Sequence, residues 1–109
     1  MEISPSFESE LNLWNVREFV TDKRKFDECI PENMKEDREY GFLLEGQKFF
    51  GLFAKFPLVE IDENNTQDVT RALVNIFEVT HFLDNEKLYT KGKYRVLRVI
   101  SEKSPLEKV

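Results

Sequence analysis

Residues 66–83 read TQDVTRALVNIFEVTHFL, and the fold class turns on whether this stretch is helix or strand. Val69, Ala72, Leu73, Ile76, Thr80 and Leu83 recur at the three- and four-residue spacing of a core-facing helical stripe. Asn65 or Thr66 is placed to cap such a helix, with Asp68 in its first turn complementing the dipole, and Asp84-Asn85-Glu86 ends it. The spacing therefore predicts a helix over about 66–83. The Val, Ile, Phe and Thr content suits a pleated surface equally well and leaves one long strand as the alternative.

On either side the signals are for sheet. Tyr40, Phe42 and Leu44 alternate with Gly41, Leu43 and Glu45; Gly46-Gln47 fits a two-residue turn, and Lys48–Phe56 reads as the return strand of a hairpin. That return strand carries Phe50, Leu52, Ala54 and Phe56 on one face and Phe49, Gly51 and Phe53 on the other. Pro57 is expected to end it, and residues 58–62 (LVEID) to form a further short strand. Beyond the predicted helix, Leu88–Thr90, a turn at Lys91-Gly92 and Tyr94–Ser101 (YRVLRVIS) give a second β unit.

The flanks are less regular. Residues 7–20 (FESELNLWNVREFV) are apolar around the whole helical circumference and on both faces of a strand. A second, N-terminal helix capped by Ser6 is the preferred reading, with strand left open. Residues 21–39 are polar and anchored by Phe26, Ile30 and Met34, with Pro31 interrupting any helix. They are expected to form a loop with one short helical turn. Residues 102–109 read as a frayed tail. The expected architecture is one α+β domain over 1–109: an antiparallel sheet of four to five strands packed by one main helix.

Composition limits the function classes. The chain has 109 residues, 40% hydrophobic and 34% charged, with ten Phe, four Gly, four Pro and one Cys. This excludes disordered, collagen-like and disulfide-framework classes. No apolar run approaches the length of a membrane-spanning helix, and MEISPSFESE lacks the basic flank and apolar region of a signal peptide. A cytoplasmic protein with no membrane role is expected.

Catalytic equipment is sparse. His81 is the only histidine and Cys29 the only cysteine. His81 is expected in the last helical turn beside Phe77 and Phe82, where the dipole suffices to explain it. Cys29 follows Asp27-Glu28, whose charges disfavour the thiolate, so it reads as an inert buried thiol. One Cys and one His make no structural zinc site. The Asp62-x-Asn64-x-Thr66 spacing departs from a calcium loop, with Gln67 and Leu73 where Gly and Glu are required. The glycines at 41, 46, 51 and 92 make no phosphate cradle. Glu60 with Asp62 on one strand face is a conceivable acid/base pair, but an exposed edge is the simpler reading. The expectation is no enzyme, no cofactor and no metal.

Charge is unevenly distributed. The formal net charge of -5 resolves into -6 over residues 1–45, -4 over 46–86 and +5 over 87–109. The basic segment Lys87, Lys91, Lys93, Arg95 and Arg98 interleaves Tyr89 and Tyr94, a mixture that suits nucleic acid. Intramolecular pairing with the acidic body is preferred, since that body repels a polyanion. The acid clusters instead suit a basic protein partner. The expected contacts are Glu32, Glu36, Asp37, Glu39, Glu60, Asp62 and Glu63, with Tyr40, Phe49 and Phe53 as aromatic anchors. The expected function is a non-enzymatic binding module, most concretely an acidic inhibitor or bacterial immunity-type protein that occludes the active site of a basic nuclease toxin. The alternative is an assembly subunit, such as a phage particle component or homo-oligomer, associating through the Phe-rich strand 48–56.

Overall fold

The stretch 66–83 is strand, so the α+β expectation is overturned. In the computed structural model, which describes residues 7–62 and 65–100, the chain runs β1 (Leu11–Trp14), α1 (Arg17–Val20), β2 (Glu39–Glu45), β3 (Lys55–Asp62), β4 (Asn65–Asp84) and β5 (Lys87–Val99). The five strands form one mixed sheet in the order β1-β3-β4-β5-β2. β1 runs parallel to β3, and every other pairing is antiparallel. The second expected helix is also absent: residues 7–20 supply β1 and the single turn α1. The expected turn in the following loop is the 3-10 segment Phe26–Glu28.

The β-branched content of β4 outweighs its helical spacing because the sheet buries a period of two. Ala72, Val74 and Ile76 are fully buried, whereas Thr80 and Leu83 of the supposed helical stripe are exposed. Twenty extended residues span roughly 65 Å at about 3.3 Å each, longer than the molecule's 51 Å axis. The ladder therefore bends, with register irregularities between Leu58 and Val59 and between Glu60 and Asp62 on β3, and between Leu73/Val74 and Ile76/Glu78 on β4. At the first of these Arg71 is the extra residue, since Leu58 pairs with Ala72 and Val59 with Thr70. A bulge redirects a side chain, so Arg71 and Ala72, though adjacent, are both buried.

The expected hairpin over 40–56 also gives way. β2 pairs with β5, not with the residues that follow it. Gly46–Ala54 is a loop, pinned where Thr90 Oγ1 accepts from Lys48 N and donates to Gly46 O, each at 2.8 Å. Pro57 lies inside β3 instead of ending it. Asn15 N donates to Ile61 O, so odd residues of β3 face β1. Pro57 thus turns its missing donor toward that side, just short of the Leu11–Leu58 pair where β1 begins. Lys87–Val99 is likewise one strand, running through Gly92. A Cβ at Gly92 would lie 1.9 Å from Glu78 O and 2.8 Å from the Phe42 ring, so the close crossing of β2, β4 and β5 requires glycine.

The sheet curls. Leu11 and Leu13 of edge strand β1 share one core with Phe42 of the opposite edge strand β2, together with Phe50, Phe56, Leu58, Tyr94 and Val96. No described helix is long and apolar enough to cross a membrane.

Candidate binding groove

The two edges of the curled sheet are β1 and β2, and between them opens a groove of about 300 Å³. β1 contributes Asn12 and Trp14, and β2 contributes Leu43, Leu44 and Glu45. Phe50 from the Gly46–Ala54 loop lies at its base. Its rim carries the carboxylates Glu8, Glu10, Glu28 and Glu45 against the cations Arg24 and Lys48. Both cations are engaged: Arg24 lies 3.7 Å from Glu28 and Lys48 3.9 Å from Glu8. Arg24 also covers Trp14, its guanidinium 3.9 Å from the ring centroid. Glu10 and Glu45 have no ion-pair partner among the described residues, so the groove keeps a net negative charge.

Backbone register explains why the groove has an open wall. Gly46 N donates to Leu88 O and Val96 N to Arg38 O, so the even residues of β2 bond to β5. The N–H and C=O groups of Gly41, Leu43 and Glu45 therefore point outward, and none has a hydrogen-bond partner among the described residues. Asp27 shields the Gly41 end, its carboxylate 3.5 Å from where a Cβ would stand. The edge of β1 is better covered, because Ile30 N donates to Trp14 O at 2.9 Å. Asn12 Oδ1 is nevertheless buried without a partner.

The expected contact residues are only partly brought together. Glu32, Glu36, Asp37 and Glu39 fall in one exposed segment leading into β2, docked where Asp37 N donates to Val96 O. Glu39 is paired with Arg95 at 2.5 Å. Tyr40 is half-buried, its hydroxyl accepting from Lys35 N while its ring lies 5.8 Å from that of Tyr94. Phe53 is 70% exposed, and Phe49 is packed between Phe7 and His81. Glu60 is no surface acid: it is 4% exposed, bonded to Asn15 Nδ2 at 2.9 Å and ion-paired with buried Arg71. Asp62 is mostly covered and lies 3.5 Å from Arg17. Glu63 lies outside the described residues, as does the 102–109 tail. The two-faced Phe strand 48–56 does not form; Phe50 and Phe56 are core and Phe53 is on a loop.

Other expected sites have ordinary roles. His81 is on β4, not at a helix end, with Nε2 2.7 Å from Lys48 O. Cys29 is buried, and that burial, with the Glu28 charge beside it, pushes its thiol from 9.0 up to about 11. Tyr94, fully buried, has its phenol held well above the ordinary range by desolvation. In the basic segment Arg95 pairs with Glu39, Lys93 stands opposite Glu78, and Lys91 lies over the Phe82 ring. Among the described residues no cluster of His, Cys, Asp and Glu is suited to hold a metal ion. The groove itself was missed by sequence reasoning, since Glu8, Trp14 and Glu45 converge only through the curl. Neither protein-family models nor curated proteins nor solved structures give a match to this chain, so the site rests on its own geometry.

Proposed function

We propose that this chain is a non-enzymatic binding module for a basic protein, acting in the cytoplasm, and most concretely an inhibitor or immunity-type protein that blocks a cationic active site. The observation that carries this reading is the negative groove between the sheet edges, which adjoins the exposed acids Glu32, Glu36 and Asp37 in sequence through β2. Carboxylates of this kind steer a cationic partner, and the partly buried Trp14 supplies an anchor of the type that dominates interface energetics.

Combined Glu32→Lys, Glu36→Lys and Asp37→Lys substitution tests the reading on exposed positions that carry no core contact. Affinity capture from the host, with identification of what is retained, is expected to return basic proteins that moderate salt releases. The triple variant is expected to lose them by about tenfold or more. Addition of the wild-type protein is expected to inhibit a captured nuclease. Capture unchanged both in the triple variant and in Glu10→Lys/Glu45→Lys at the groove rim, or capture insensitive to salt, would overturn the proposal.

A further inference from the structure

We infer that the groove accepts an extended, basic peptide segment as an added strand along β2, narrowing the gap between the two edges of the curled sheet. This rests on the reading of the protein as a binder of basic partners and names the form in which the partner is held. Three observations converge on it. The first is the outward donors and acceptors of Leu43 and Glu45, unpaired among the described residues, which suit the ladder bonds of an incoming strand. Such edges are otherwise blunted by charged side chains, Pro or a bulge; β2 has no Pro and no bulge at 39–45, and of its two charges Glu39 is paired with Arg95 while Glu45 repels only an acidic strand.

The second observation is position. The open edge is not on a flat outer margin but faces Asn12 and Trp14 across the groove, so an added strand has a wall on both sides. The third is charge: among the described residues Glu10 and Glu45 have no ion-pair partner, while Arg24 and Lys48 are already paired. An occupant that alternates basic and apolar side chains meets the rim acids with the first set and Leu44, Phe50 and Trp14 with the second. An acidic or neutral strand satisfies the backbone but leaves the carboxylates uncompensated.

Trp14 is the only tryptophan in the chain, so its emission reports occupancy directly. The probe is a capped peptide of about nine residues alternating Val and Lys, titrated at low ionic strength. A saturable change in Trp14 emission is expected, absent with the corresponding Val/Glu peptide. N-methylation at either the odd or the even residues leaves charge and side chains in place but removes donors from one edge. At least one of the two methylated forms is expected to bind about tenfold more weakly, the loss of two or more ladder bonds.

Leu43→Pro is expected to weaken binding similarly while leaving the fold intact by circular dichroism, because the N–H it removes points outward. Should that variant not fold, the methylated peptides decide alone. Equal binding by the parent and both methylated forms overturns strand addition. If that equal binding is also lost on Glu10→Lys/Glu45→Lys substitution, the acidic-surface reading survives without it. Absence of any salt-sensitive binding by the basic peptide overturns both.

Discussion

Glu60 and Arg71 show how one misplaced charge in a sequence reading becomes a structural fact. Alternation along β3 puts Glu60 on the same face as Phe56 and Leu58, which is the core face, and the bulge at Arg71 brings a guanidinium to it. Asn15 extends the chain of contacts, since its Oδ1 accepts from Arg17 N at 2.8 Å while Arg17 reaches Asp62. Glu60→Leu removes the carboxylate ion-paired with buried Arg71 and is expected to cost about 3–5 kcal/mol in urea denaturation, whereas Glu60→Leu with Arg71→Met is expected to be far milder. Cys29 provides a second test. Its pKa is higher in the folded protein than in the unfolded chain, so the folded state holds the thiol proton more tightly. The corresponding stability is fully present below pH 9.0 and is lost as pH rises through about 11. Denaturation midpoints are expected to fall across that window, and to fall less in Cys29→Ala.

β4 explains most of the distance between sequence and structure. Helical spacing selected Val69, Leu73 and Thr80 and skipped Val74, yet Val74 is fully buried and Thr80 is not. Extra residues on β4, Arg71 and Phe77 among them, shift the alternation along the strand and erase the clean period of two that would have identified it. β2 was legible, and so was most of β5, because each alternates over the stretch where it pairs. Their partnership was not, since Gly46-Gln47 looks like a tight turn, whereas β5 reaches β2 only after returning from β4 through the Asn85-Glu86 turn. Both of those residues have positive φ, 49° and 67°, the geometry of a primed turn that favours Asn-Gly. Glu86→Gly is therefore expected to stabilise the protein by about 0.5–1 kcal/mol, read as a higher melting temperature. Gly92→Ala is expected to do the reverse, costing about 3 kcal/mol or preventing folding, because its methyl meets backbone and a packed ring.

The curl of the sheet determined which parts of the candidate site a linear reading could find. Exposed acids at 32–37 were visible because they sit in one polar segment; the groove was not, because its walls come from Asn12, Trp14 and Leu43–Glu45, which no local pattern joins. The sheet order has a further consequence, for kinetics. β4 and β5 meet across two residues and β3 pairs with β4 as locally as Asp62 with Asn65, but β1 finds β3 across 47 positions (Leu11 with Leu58) and β2 finds β5 across as many as 56 (Glu39 with Arg95). Loop-closure entropy delays such distant pairings, so the local β3-β4-β5 meander is expected to form first and the two edge strands last. Stopped-flow measurements should then place Glu86→Gly mainly on the folding rate and substitutions at Leu13 or Phe42 mainly on the unfolding rate. The reverse partition would mean that the edges nucleate the sheet. On this order the groove is the last feature of the molecule to be assembled and the first to be lost.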